Sequence, residues 1–156
     1  GALSMSARRD LPAELSGVRP SGHAVEMRLY AEDPGNGFVP QPGRLERLRF
    51  PEAMPGVRVD AGYVEGGEVS VHYDPLIAKI IAHGSTRSEA IDRLDAALGA
   101  TELALVGAKG ARRTNLEFVR RLLATPEFRR GEYDTGLAAA LSDAEKKARA
   151  TPGSGA

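Results

Sequence analysis

Glu26 and Arg28 stand two positions apart in a segment, His23 to Tyr30, that alternates apolar and polar residues. On a strand that spacing puts both side chains on one face. An arginine presented from a rigid strand can hold a planar anion through paired hydrogen bonds. A solvated strand face explains the same pattern, and the residues alone favour it. Tyr73-Asp74-Pro75 supplies another acid, though aspartate before proline commonly makes a turn. His23, His72 and His83 are far apart and lack metal-ligand spacing, so they read as isolated turn or strand histidines and no metal site is expected. Gly107 to Thr114 carries glycines with Lys109, Arg112 and Arg113, but not the residue order with which a loop cradles phosphate; it reads as a solvated basic turn. No serine occupies a nucleophile elbow, and no pair of acids declares itself as general acid and base.

The bulk composition narrows the classes. Lys+Arg and Asp+Glu number 21 each, a balance that argues against a nucleic-acid partner, which needs a surplus of cations. With 0 cysteines, thiolate chemistry and disulfides are excluded. No apolar run approaches a membrane span and no hydrophobic signal region opens the chain, so no membrane partner is expected. The 156 residues suit one domain. Residues 1–10 read as tag and linker, 11–141 as the domain, and 142–156 as a linker or disordered tail.

The elements that must position these side chains come from periodicity. His23 to Tyr30 predicts a half-buried strand with Val25, Met27 and Leu29 inward. Glu32 to Gly37 has turn chemistry; Gly43 to Phe50 alternates weakly, Val57 to Asp60 is short, and Glu65 to Glu68 resembles a hairpin turn. Leu76 to Ala82 suits a well-buried strand. Thr86 and Glu89 form a capping box ahead of a helix whose inward face is Ala90, Ile91, Leu94, Ala97 and Leu98, with Gly99 ending it. Leu103 to Val106 predicts another strand. Thr114 and Glu117 predict a second capped helix with Leu116, Val119, Leu122 and Leu123 inward, and Thr125-Pro126 begins a third. The fold class is α+β, a mainly antiparallel sheet followed by packed helices.

The segment Gly22 to Pro34, Gly-His-Ala-Val-Glu-Met-Arg-Leu-Tyr-Ala-Glu-Asp-Pro, resembles the signature that opens the C-terminal domain of biotin carboxylases. Phe38-Val39-Pro40 with Pro42-Gly43, Val57 to Asp60, Tyr73 to Lys79, Thr114-Asn115 and Asp134 to Gly136 follow in that family's order. The stretch Glu68 to Pro75 most resembles the α subunits of 3-methylcrotonyl-CoA and related acyl-CoA carboxylases of fatty acid or leucine metabolism. Urea and pyruvate carboxylases are also compatible. The turn from Gly107 to Arg113 is longer and more basic than in relatives.

The resemblance implies a ligase that uses ATP and Mg²⁺ to activate bicarbonate and transfers CO₂ to biotin on a carrier domain. It implies that Arg28 is the catalytic arginine, stabilising charge that develops on the ureido oxygen of biotin, with Glu26 as a substrate-binding residue. It places Thr135 beside the nucleotide, and Arg58 and Asp74 near a homodimer interface. The expected partners are an upstream ATP-grasp domain, a biotin carrier domain and a carboxyltransferase subunit. The expected location is the cytoplasm, or the mitochondrial matrix if the source is eukaryotic. ATP-grasp features are missing from this sequence, so the isolated chain is expected to bind none of these cofactors alone and to be inactive. Two other readings stay open. Val64 to Val69 with Lys79 faintly resembles a biotin carrier module, although Lys79 lies in an apolar run where its stem would pack and its amine reach outward. A non-catalytic dimerisation domain is the second.

Overall fold

Clean alternation of apolar and polar side chains marks where the first strand forms. The structure, a computed structural model, describes residues 21–150 other than Glu52, Val71 and Thr135. The expected tag and linker, residues 1–10, the first part of the expected domain, residues 11–20, and the last six residues, 151–156, lie outside the described residues. β1 (His23–Tyr30) buries Val25, Met27 and Leu29 and turns Glu26 and Arg28 outward, as its alternation predicts. The turn chemistry after it becomes β2 (Glu32–Asp33) and a 3-10 turn over Pro34–Asn36. There Asp33 Oδ1 accepts from the Gly35 N–H at 3.0 Å and Gly37 takes φ 65°.

β3 (Val39–Pro40) pairs with β2, and β4 (Gly43–Arg49) follows. A bulge between Leu45 and Arg47 lets Leu45 and Leu48, three positions apart, both face the core. That bulge is why the alternation of this segment is weak. β5 (Val57–Ala61), β6 (Glu68–Val69) and β7 (Leu76–Gly84) come next. The turn at Glu65 to Glu68 is present, with Gly67 N–H donating to Val64 C=O at 2.9 Å. It is not a hairpin, however, because the strands on either side of it belong to different sheets.

One sheet has the order β1-β7-β5. The other is β6-β4-β8-β9, with β8 (Glu102–Gly107) and β9 (Gly110–Ala111). Every strand pairing among the described residues is antiparallel. The basic turn resolves into a tight hairpin, with Gly107 opposite Gly110.

α1 (Arg87–Gly99) lies across β7 and β1 and buries Ala90, Ile91, Leu94, Ala97 and Leu98, the face that helical spacing predicts. Its Thr86 cap is as expected, Oγ1 accepting from the Glu89 N–H at 3.1 Å. The Glu89 carboxylate accepts from the Ser85 N–H and hydroxyl, and the Thr86 N–H that a capping box engages also favours its ionised form. Gly99 is the last helical residue, followed by an α-region cap at Ala100.

α2 (Leu116–Ala124) corrects a second expectation: its N-cap is Asn115, not Thr114, and no side chain caps it. It buries Leu116, Phe118 and Leu123, while Val119 and Leu122 are half-buried. α3 (Pro126–Arg130) starts at Pro126 with Thr125 as cap. α4 (Gly136–Ala150) runs as one helix through residue 141, where the domain is expected to end. Buried Ser142 donates to Pro34 C=O at 2.7 Å and ties α4 to the 3-10 turn. Among the described residues no helix is long and apolar enough to cross a membrane.

Candidate functional site

The three-stranded sheet has one covered face and one open face. α1 covers the face formed by Val25, Met27, Leu29, Ala78, Ile80 and Ala82. The register fixes what stands on the other. Glu26 lies opposite Ile81, and Ile81 opposite Arg58; Arg28 lies opposite Lys79, and Lys79 opposite Asp60. The open face therefore carries two cross-strand rows of three residues, with Tyr30 at the end of β1.

Arg28 is displayed with 57% of its side chain exposed, its Nε donating to Glu26 Oε1 at 3.1 Å. Glu26, and after it Tyr30, hold the Arg28 guanidinium above its ordinary value by hydrogen bonding. The cation is thus charged at any working pH, and its orientation is limited by a partner on its own strand. Glu26 and Arg28 are brought together as the spacing implies.

Arg58 shares the face but stands two strands away from Arg28, roughly 10 Å across the sheet. It is exposed and pairs with Asp60 Oδ1 at 3.0 Å, repeating on β5 the two-residue spacing of Glu26 and Arg28 on β1.

Asp74 is not on this face. It sits in the loop before β7, where its Oδ1 accepts from the Leu76 N–H at 3.0 Å, the turn that aspartate before proline suggests. Nearby Glu32 is pushed above the usual carboxylate range, first by burial and second by the charge of Asp74. Thr135 lies outside the described residues. Its chain neighbour Asp134 borders a cavity of about 190 Å³ lined mainly by Leu122, Phe128, Tyr133, Leu137 and Ala138. Among the described residues no group of three His, Asp or Glu could hold a metal ion.

Lys79 and Asn115 belong to this site, and the sequence reading gave neither a role in it. Lys79 is half-buried in the central strand with Arg28 and Asp60 as its register partners. It makes no ion pair among the described residues. Paired on both sides within a sheet, it is not on the exposed tight turn a carrier lysine needs. Asn115 is 7% exposed beneath the end of β1. Its Oδ1 accepts from the Tyr30 N–H at 2.8 Å, and its Nδ2 donates to the Arg28 C=O at 3.0 Å. Only its place in the quoted Thr-Asn pair could have flagged it.

Comparisons with known proteins give the family. The family model described as biotin carboxylase C-terminal domain matches residues 26–139. The mouse mitochondrial methylcrotonoyl-CoA carboxylase subunit alpha is 39% identical over 133 residues, which is 85% of this chain and 18% of that protein. The human mitochondrial propionyl-CoA carboxylase alpha chain is 39% identical over 119 residues, 76% of this chain and 16% of that one. Among solved structures, the biotin carboxylase domain dimer of Hydrogenobacter thermophilus 2-oxoglutarate carboxylase, in complex with MgADP, ADP and bicarbonate, superposes with a TM-score of 0.71. It is 31% identical and covers 79% of this chain and 26% of its own. The chain thus spans about a sixth of the length of the curated relatives it matches. The match runs from the Glu26 and Arg28 strand through the helices behind it, and the chain belongs to the biotin carboxylase C-terminal domain family.

Proposed function

We propose that this domain is the C-terminal part of an ATP-dependent biotin carboxylase within an acyl-CoA carboxylase, and that Arg28 is its catalytic residue. The observation that carries the reading is Arg28 itself, an exposed cation fixed on the open face of a sheet whose other face is sealed by α1. In the family, ATP and Mg²⁺ activate bicarbonate, and biotin on its carrier accepts the carboxyl group. The part of Arg28 is to stand against the oxygen on which negative charge develops. A fixed cation aimed at developing charge in a site that excludes water is strongly catalytic. Glu26 keeps the guanidinium oriented and contributes to substrate binding. Mg²⁺ and the phosphates of ATP are assigned by the same reading to an upstream ATP-grasp portion.

Thr135 is proposed to border the nucleotide, a reading supported by the apolar cavity beside its neighbour Asp134. Arg58 and Asp74 are proposed as subunit contacts; both are exposed, and the solved 2-oxoglutarate carboxylase domain is a dimer. The biotin carrier and carboxyltransferase partners, and a location in cytoplasm or mitochondrial matrix, follow from the same reading; the two relatives above are mitochondrial.

The test is biotin-dependent ATP hydrolysis by the full-length subunit, wild type against Arg28→Ala. A loss of about 100-fold or more in kcat is expected for removal of a charge-stabilising donor. Equal turnover in both would remove Arg28 from the mechanism.

A further inference from the structure

β1 is a terminal strand of its sheet, so one of its edges has no neighbouring strand to satisfy its backbone. Asn115 fills that position at the residues that matter. Its side-chain amide accepts from the Tyr30 N–H at 2.8 Å and donates to the Arg28 C=O at 3.0 Å, and its own backbone N–H donates to the Tyr30 C=O at 3.1 Å. A carboxamide offers donor and acceptor in one plane, as a peptide group does, so it can stand in for a rung of a neighbouring strand. Aspartate would keep the acceptor and lose the donor, leucine would lose both, and glutamine would place the amide one methylene too far.

A second observation bears on the same residue. Asn115 occupies the N-cap of α2, where asparagine is among the best capping side chains, yet its side chain makes no capping bond. The amide is used on β1 instead. It is buried, and the β1–β7 register shifts between Leu29 and Tyr30, just where the amide holds the strand.

From this clamp we infer that Asn115 is the positioning residue of Arg28: it fixes the backbone from which the guanidinium projects and ties it to the start of α2. The inference rests on the assignment of Arg28 proposed above. Catalytic groups tolerate little displacement, and loosening the strand beneath Arg28 leaves the cation present but misplaced.

The experiment is a double-mutant cycle in the full-length subunit, reading biotin-dependent ATP hydrolysis for wild type, Asn115→Asp, Arg28→Ala and the pair. Asn115→Ala runs in parallel, and every variant is assayed below its own melting temperature, so that loss of fold in one is recognised and the other still decides. Asn115→Asp is expected to lower kcat about tenfold or more, with KM for ATP within about twofold of wild type. On the Arg28→Ala background the same substitution should change the rate by less than about twofold, because its effect passes through the arginine. An equal loss on both backgrounds would overturn the inference and make Asn115 a structural residue only. Unchanged activity of Arg28→Ala itself would instead overturn the assignment on which the inference stands.

Discussion

Arg28 and Glu89 are each tuned by hydrogen bonds from close neighbours, in opposite chemical senses. The bonds to Arg28 favour its cation, which is already charged at every usable pH, so Arg28 contributes no pH dependence. Glu89 is different. The Ser85 hydroxyl first, and the Ser85 N–H second, hold its carboxyl below the ordinary glutamate range, with Arg93 adding a weaker pull. A carboxyl whose folded value is depressed stabilises the fold above its unfolded value, and that stability is lost as pH falls through the folded value. Glu89→Gln should therefore lower the melting temperature at pH 7, with the difference from wild type shrinking on acidification below the ordinary glutamate pKa of about 4.3. Thermal unfolding of both proteins from pH 7 to 3 checks this, and a constant difference would refute it. Residue-scale features of this kind were legible when they were local. The outward turn of Glu26 and Arg28 follows from alternation alone. The partnership of Asn115 with Arg28 spans 87 positions, and no periodicity reports a contact at that separation. The family resemblance marked Arg28 but could not say what holds it.

Among the elements, α1 was the most legible because a 3.6-residue period, a threonine cap and a buried face are all local properties of its sequence. β4 was the least, since its bulge breaks a two-residue period that only the partner strand explains. The second helix start was misread because the capping-box pattern describes what Thr114 and Glu117 can do, whereas the demand of the β1 edge decides what Asn115 does. Where α1 meets the sheet, its first turn crosses the end of β7 at Gly84, and a Cβ added there would lie 2.5 Å from the Ala90 backbone nitrogen. Backbone cannot rotate away as a long side chain can, so the helix would have to lift from the strand. Gly84→Ala is expected to cost about 1–3 kcal/mol, the range for overpacking a filled interior. Denaturant unfolding measures it, and a change below about 0.5 kcal/mol would show that α1 can shift without loss.

The whole molecule presents the open face of β1-β7-β5 as a single charged surface, and it links two proposed roles. Arg28 stands at one side on β1 and Arg58 at the other on β5, each paired with an acid on its own strand, with half-buried Lys79 between them. That the Glu65 to Glu68 turn passes the chain from one sheet to the other could not be read locally, because strand order depends on which distant strands pair. The order is what separates the two arginines by a strand, so their roles can be divided by experiment. If Arg58 is a subunit contact, Arg58→Glu reverses its charge and sets like charges together at the proposed contact, including its own partner Asp60. Arg28→Ala changes only the far side of the sheet. Sedimentation velocity of the full-length subunit should then show Arg58→Glu shifted toward monomer and Arg28→Ala unchanged, while biotin-dependent turnover falls in Arg28→Ala through the chemical step. Identical sedimentation of Arg58→Glu and wild type would take Arg58 out of any interface. A shift in both would mean that the face acts as one surface, and that the loss of activity in Arg28→Ala must be re-measured at a protein concentration that restores the assembly.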